Sequence, residues 1–398
     1  MPTLEEKAFV QEHLRDDVSA LALRLGRFPH LNASVVLRQV AGYQALMKKV
    51  PSWASNPDLI FSDSLPLEQC SSEATARYKA SILPANVCSL ADLTGGLGVD
   101  FAFLAAGKTN ALYVERREDL ASIASENFNA LGLIHARVLH GDGPSYLAEP
   151  FDLLYLDPAR RDAKGSKVVA LSDCEPDIAS IKSTLFTKAP LLLVKLSPML
   201  DITLALKQLP ETTEVHIVSV DGECKELLFL LSAENVVPEP RIVCVNLRGN
   251  APTQSFEFTK SQEQSSQCRL ASEPMHYLYE PNASLLKAGA FSILTHAFSL
   301  YKLHPNSHLY TSESLVEDFP GRTFVLENQL PAQQKALKSA LSHLPKANIT
   351  VRNFPETVEQ IRKRTGLKEG GDVYLFATTL AEERKVVLQC RKISTLVS

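Results

Sequence analysis

Asp92-Leu93-Thr94-Gly95-Gly96-Leu97-Gly98-Val99-Asp100 follows a short apolar run that starts at Val87 and leads into a helical pattern. Glycines at a strand-to-helix turn let the backbone approach a ligand without a Cβ clash, and the helix that follows adds amide donors. A tight connection alone would also use glycine, so the flanking residues have to decide. A dinucleotide fingerprint needs a third glycine at 101, where Phe101 stands. Gly107-Lys108-Thr109 looks like the end of a phosphate loop, but the required earlier glycine falls on Ala102. That segment also closes a helix instead of opening one, so the phosphate-loop reading is dismissed.

Outward from this turn, short apolar runs alternate with helical stretches, the signature of a parallel sheet with crossover helices. Strands are expected near 87–93, 110–114, 136–139, 152–156, 191–196, 214–220 and 226–232. The last two are separated only by Asp221-Gly222-Glu223-Cys224-Lys225 and should form an antiparallel hairpin at one edge, because a parallel pair needs a longer crossover. Seven strands with the last antiparallel resemble the sheet of class I methyltransferases.

The strand ends carry acids. Asp92 closes the first. Glu115 closes the second, where a carboxylate can accept from both ribose hydroxyls of an adenosyl group. Asp142 follows the third and is placed to accept from an adenine amino group, and Asp157 follows the fourth in Leu156-Asp157-Pro158-Ala159-Arg160-Arg161. Each alone could be a helix cap; together they lie along the edge where ligands of open α/β sheets bind. The expected cofactor contacts are therefore Asp92, Thr94, Gly95, Gly96, Gly98, Glu115, Asp142 and Asp157. Asp157 is the candidate to hydrogen-bond or deprotonate the acceptor, with Pro158 stiffening the turn. Arg160 and Arg161 can bind phosphate, stack on a base, or stand as surface charges. Lys195, Glu223 and Glu226 are rim candidates that an ion pair would explain equally well. The fifth strand ends in Val194-Lys195-Leu196-Ser197-Pro198 without a cysteine, and Cys224 reads as a small buried residue, so a covalent cysteine intermediate is disfavoured.

The 398 residues carry a net charge of -4, and the length suggests about two or three domains. Residues 322–398 hold 13 Lys and Arg against 7 Asp and Glu, leaving 28 against 38 in the remainder. A basic end on an acidic body is expected where one part meets a polyanion, although a solvated helix face gives the same count. Arg362, Lys363, Arg364 and Lys368 cluster at the end of a predicted helix, where cations bind RNA phosphates or complement the helix dipole. Seven scattered cysteines fit neither a disulfide framework nor a zinc site, so no metal is expected. With no secretory leader and no membrane-spanning run, the expected home is the cytoplasm.

Residues 3–50 read as helices with Asn32 as a cap, 50–66 as a connector, and Ser71–Ile82 as a short helix. After the Val-Pro-Glu-Pro stretch at 237–240, a strand near Arg241–Asn246, a polar loop at 261–267 and an apolar helix around Ser284–Tyr301 are expected. A small α/β sandwich should follow, with strands at 323–326, 348–353, 373–378 and 385–391 and helices at 332–343 and 356–365.

The chain resembles bacterial class I S-adenosylmethionine-dependent methyltransferases with a C-terminal THUMP-like domain. The resemblance spans nearly the whole length. It rests on Leu67-Glu68-Gln69-Cys70-Ser71-Ser72-Glu73 with Thr75, Tyr78 and Lys79, the glycine turn, the Asp157-Pro158 turn, Val194–Pro198 and Asp221–Glu226. It implies an α/β fold: an N-terminal helical region (1–62), a seven-stranded Rossmann-like catalytic domain (63–236), a ferredoxin-like intermediate domain (237–321) and a THUMP-like α/β domain (322–398). It further implies S-adenosyl-L-methionine as methyl donor and RNA, often tRNA, as partner. One departure is Arg116, which replaces the usual apolar residue after the ribose-binding acid. The alternatives are a protein or small-molecule methyltransferase, and a non-catalytic RNA-binding protein that retains the cofactor fold.

Overall fold

Four leucine-rich residues, Leu153–Leu156, form a strand buried on both faces, and the computed structural model places it near the middle of a parallel sheet. The structure describes residues 1–62, 68–160, 171–235, 237–249 and 251–393. The chain divides into two compact units, Met1–Thr213 with Leu227–Pro238 and Glu214–Glu226 with Glu239–Ser398.

In the first unit, β1 (Ser89–Asp92), β2 (Asn110–Glu115), β3 (Ala136–His140), β4 (Leu153–Leu156) and β5 (Leu191–Leu196) pair in parallel in the order β5-β4-β1-β2-β3. The chain continues through β6 (Thr212–Val220) into β7 (Glu223–Ser232), and Leu227–Ser232 of β7 pair antiparallel with β5. The strand order reverses between β1 and β4, which opens a crevice at their carboxyl ends. Helices Val99–Ala105, Glu118–Ala130, Ile178–Phe186 and Ile202–Gln208 make the crossovers; the Asp177 and Asp201 carboxylates cap the last two.

The N-terminal helices are Leu4–Glu12, Val18–Arg24 and Ala33–Lys49, the third capped by Asn32 as expected. The connector after them is held by two amides. Gln39 exchanges bonds with both backbone groups of Phe61, and Asn127 does the same with Ile60. The short helix expected over Ser71–Ile82 spans Glu73–Ser81 and is capped by Ser72.

In the second unit, β6 has a parallel neighbour, β8 (Arg241–Arg248), which pairs antiparallel with β9 (Ala251–Phe258). The sequence reading ended the sheet at the hairpin and did not anticipate β9. The expected polar loop is mostly helix, Lys260–Ser265, closed by a capping box between Thr259 and Gln262. The expected apolar helix is two, Ala283–Ala288 and Ile293–Ala297, because Gly289 takes a left-handed C-cap at φ 75°. A seven-stranded sheet follows, in the order Tyr301–Lys302, Tyr310–Ser312, Tyr277–Pro281, Gly321–Pro331, Lys385–Lys392, Val373–Thr379 and Asn348–Arg352. Helices Gln334–Ala340 and Val358–Thr365 supply Leu337 and Ile361 to the core beneath it.

Candidate active site

Asp92, the last residue of β1, is buried, and its Oδ1 accepts from the Thr94 amide at 2.9 Å and the Thr94 hydroxyl at 3.1 Å. Burial, only partly offset by those bonds, pushes its carboxyl up to about 8. The Thr94 oxygen also accepts from the Asp157 amide at 2.7 Å, which ties the β1 turn to the β4 turn.

Glu115 ends β2 with each carboxylate oxygen on one backbone amide, Oε2 on Gly96 at 2.6 Å and Oε1 on Arg117 at 2.7 Å. A carboxylate oxygen accepts more than one bond, so both retain capacity for a ligand. Gly95, at φ 41°, passes so close that a Cβ there would collide with the Glu115 carboxylate. Gly98, at φ 79°, begins the next helix where a Cβ would strike Phe128. Phe101, in the place of the missing dinucleotide glycine, packs with Tyr113 and Phe128 beneath the turn.

All four strand-end acids line one cavity of about 860 Å³ together with Thr94 and Gly95–Gly98. Asp142 is exposed there. Arg116 lies at the rim in an ion pair with Glu175 at 2.6 Å. Leu97, Leu120, Pro144, Pro176 and Ile181 supply apolar wall.

The opposite side of the cavity holds a charge network that sequence reasoning did not assemble. Lys195, on β5, pairs with Asp157 and stands 3.8 Å from Asp100 Oδ2. Asp100 is buried, accepts from Tyr155 and Ser71 hydroxyls at 2.7 Å each, and pairs with fully buried Lys79 at 3.1 Å. Burial raises the Asp100 carboxyl, but Lys79, Lys195 and the two hydroxyls outweigh it and hold it below the ordinary value. The available signal was positional: Thr75, Ala76 and Lys79 share the buried face of helix Glu73–Ser81, so a lysine falls where an apolar residue is expected.

Pro158 is buried beside Asp157. The backbone of Ala159–Arg160 pairs with Cys174–Glu175; Arg161 lies outside the described residues, as does the Arg160 side chain. In the second unit Arg362 donates to the Ala347 and Leu367 carbonyls, and Arg364 donates to Ala332 and pairs with Glu356 at 3.1 Å. Lys363 and Lys368 are exposed. The Cys224 thiol is pushed by burial up to about 11. Glu226 is buried and Glu223 exposed. Among the described residues no group of His, Cys, Asp and Glu is arranged to hold a metal, and no helix is long and apolar enough to cross a membrane.

A family model described as a ferredoxin-like domain matches residues 277–320, and one described as THUMP domain-like matches residues 321–392. No curated protein matches the sequence. Among solved structures, a "putative methyltransferase from Porphyromonas gingivalis W83" is similar at 34% identity and TM-score 0.88, over 98% of each chain. Part of the chain is similar to a predicted O-methyltransferase from Agrobacterium tumefaciens, at 15% identity over 44% of this chain and 89% of that one, TM-score 0.33. A SAM-dependent O-methyltransferase from Thermotoga maritima is similar at 18% identity over 41% and 66%, TM-score 0.32.

Proposed function

We propose, from the premise that this chain belongs to the bacterial class I S-adenosylmethionine-dependent methyltransferases with a C-terminal THUMP-like domain, that it methylates RNA by direct in-line transfer. The observation that carries the donor reading is Glu115, held by two amides beside a glycine turn where a Cβ at Gly95 would strike its carboxylate and Gly96 faces open space. That cradle fits an adenosyl group. Glu115 accepts from the ribose hydroxyls, Asp142 from the adenine amino group, and Gly95–Gly98 leave room for the nucleoside against their backbone. Asp92, through Thr94, keeps the Asp157 amide fixed. When bound, the donor supplies a sulfonium methyl.

The residues of the chain then align the acceptor, and the reaction gains most from that alignment. Asp157 and Lys195 line the cavity; Pro158 stiffens the Asp157 turn, and Arg160, Arg161 and Lys195 are assigned to the substrate. RNA as the acceptor is supported by the THUMP domain-like match and by the excess of basic residues at 322–398. We assign 63–236 to catalysis, 237–321 to the ferredoxin-like region and 322–398, with Lys363 and Lys368 exposed, to RNA. The test is incubation with labelled donor and separate RNA, protein and metabolite pools from cells lacking the protein. Label should enter RNA; its absence from RNA, with label in another pool, overturns the RNA reading.

A further inference from the structure

The charges around Asp157 constrain which atom can be methylated. Asp100 Oδ2 accepts from the Ser71 and Tyr155 hydroxyls and Oδ1 lies 3.1 Å from Lys79, while Lys195 stands 3.8 Å from Oδ2. The close contact of Lys195 is with Asp157, whose side chain is 40% exposed at the cavity while that of Lys195 is 15% exposed. An acceptor that docks on Asp157 meets the Lys195 ammonium as well.

The sign of the charge that develops on the nucleophile then matters. A neutral nitrogen becomes positive as its bond to the methyl group forms. The Lys195 ammonium opposes that and, in contact with Asp157, offsets the carboxylate that would otherwise favour it. An alcohol oxygen changes the other way, gaining negative character as its proton leaves, and the same ammonium stabilises it. Carbon acceptors that need a cysteine nucleophile are disfavoured too: burial raises the thiol of Cys70, which lines the cavity, above its ordinary value.

We propose that the acceptor is a hydroxyl oxygen held between Asp157 and Lys195, which on RNA is the ribose 2′-hydroxyl, and that Lys195 is a catalytic residue. The polymer rests on the RNA reading above; the hydroxyl rests on the charges alone. The hydroxyl donates to Asp157 and accepts from Lys195. Its oxygen forms the new O–C bond as the C–S bond of the donor breaks, with that electron pair remaining on sulfur. The hydroxyl proton passes to the Asp157 carboxylate and from there to water.

The experiment is transfer of labelled methyl to RNA from cells lacking the protein, followed by alkaline digestion, which cleaves beside every free 2′-hydroxyl and spares a methylated one. Label in an alkali-resistant dinucleotide is expected. Label on a base in mononucleotides overturns the hydroxyl while leaving the RNA reading intact. Label in protein or metabolites overturns the RNA reading, and there a methyl ether supports the hydroxyl whereas an N- or S-methyl group overturns it. No label in any pool overturns both. Lys195→Met should lose about 100-fold or more in turnover while binding S-adenosylhomocysteine within about threefold by calorimetry, and Lys195→Arg should keep at least about a tenth of the rate. Full turnover by Lys195→Met overturns the role of Lys195. If that variant fails to fold, the product from the unaltered protein still decides the acceptor.

Discussion

The Asp92 carboxyl is buried at the end of β1 with its pKa pushed up to about 8, first by burial. A raised folded-state value means that the contribution of this group to stability is complete below the unfolded value near 4 and is lost as pH rises through 8. Asp92→Asn retains an oxygen for both Thr94 bonds and has no charge to bury. Its stability relative to the unaltered protein should rise between pH 4 and 8 by on the order of a few kcal/mol and then level off, read by urea denaturation across that range. Parallel curves would show that the carboxyl is not held protonated. Gly96, two positions away from Thr94, has φ 95° and accessible space beyond its Cα. Gly96→Arg should fold with a penalty of about 1 kcal/mol from the left-handed backbone and fill the cavity with its side chain. Calorimetry with S-adenosylhomocysteine should show no binding; unchanged affinity in the folded variant would remove the pocket from the donor reading.

At the scale of elements, the connector that follows helix Ala33–Lys49 is clasped from two sides, by Gln39 on that helix and Asn127 on helix Glu118–Ala130. Asn127→Ala leaves a buried N–H and a buried C=O of Ile60 without their partner, so it should cost about 2–4 kcal/mol in denaturant unfolding, far more than Asn129→Ala two residues along. The elements legible in the sequence were those whose local chemistry and tertiary role agree. β1, β2, β4 and β5 are apolar runs because both faces are covered, and Asn32 announces a helix by the bond it makes. β9 was invisible because only Phe258 of its residues is buried; it exists through backbone pairing with β8, which composition does not record. The break at Gly289 was hidden inside an apolar stretch. In the site, the acids at strand ends could be read from topology, whereas the Lys79–Asp100–Lys195 network joins three elements distant in sequence. Lys79 is betrayed by its place on the buried face of its helix, whereas Asp100 and Lys195, taken alone, look like ordinary surface charges.

For the molecule as a whole, the asymmetry of charge has to be separated into cations that hold the fold and cations left for a polyanion. Arg322 and Arg352 both donate to buried Glu280, Arg384 pairs with Glu273 and Arg391 with Glu327. Arg364, its side chain 11% exposed, is bound to Ala332 and Glu356. Much of the basic count is thus structural. Arg364→Ala should therefore lower stability by about 1–3 kcal/mol, because it strands the Ala332 carbonyl and the partner carboxylate. Lys363 and Lys368 are exposed on the helix Val358–Thr365 and the turn after it, and among the described residues neither ammonium makes an ion pair. If RNA meets this surface, the full-length double variant Lys363→Ala/Lys368→Ala should unfold at the same denaturant concentration as the unaltered protein. It should also bind RNA more weakly, with the slope of log affinity against log salt reduced by about 1.5, because each lysine that neutralises a single-strand phosphate releases about 0.7 counterion. An unchanged slope would mean that these two lysines are a solvated helix end, and that the polyanion, if bound, is held by other groups.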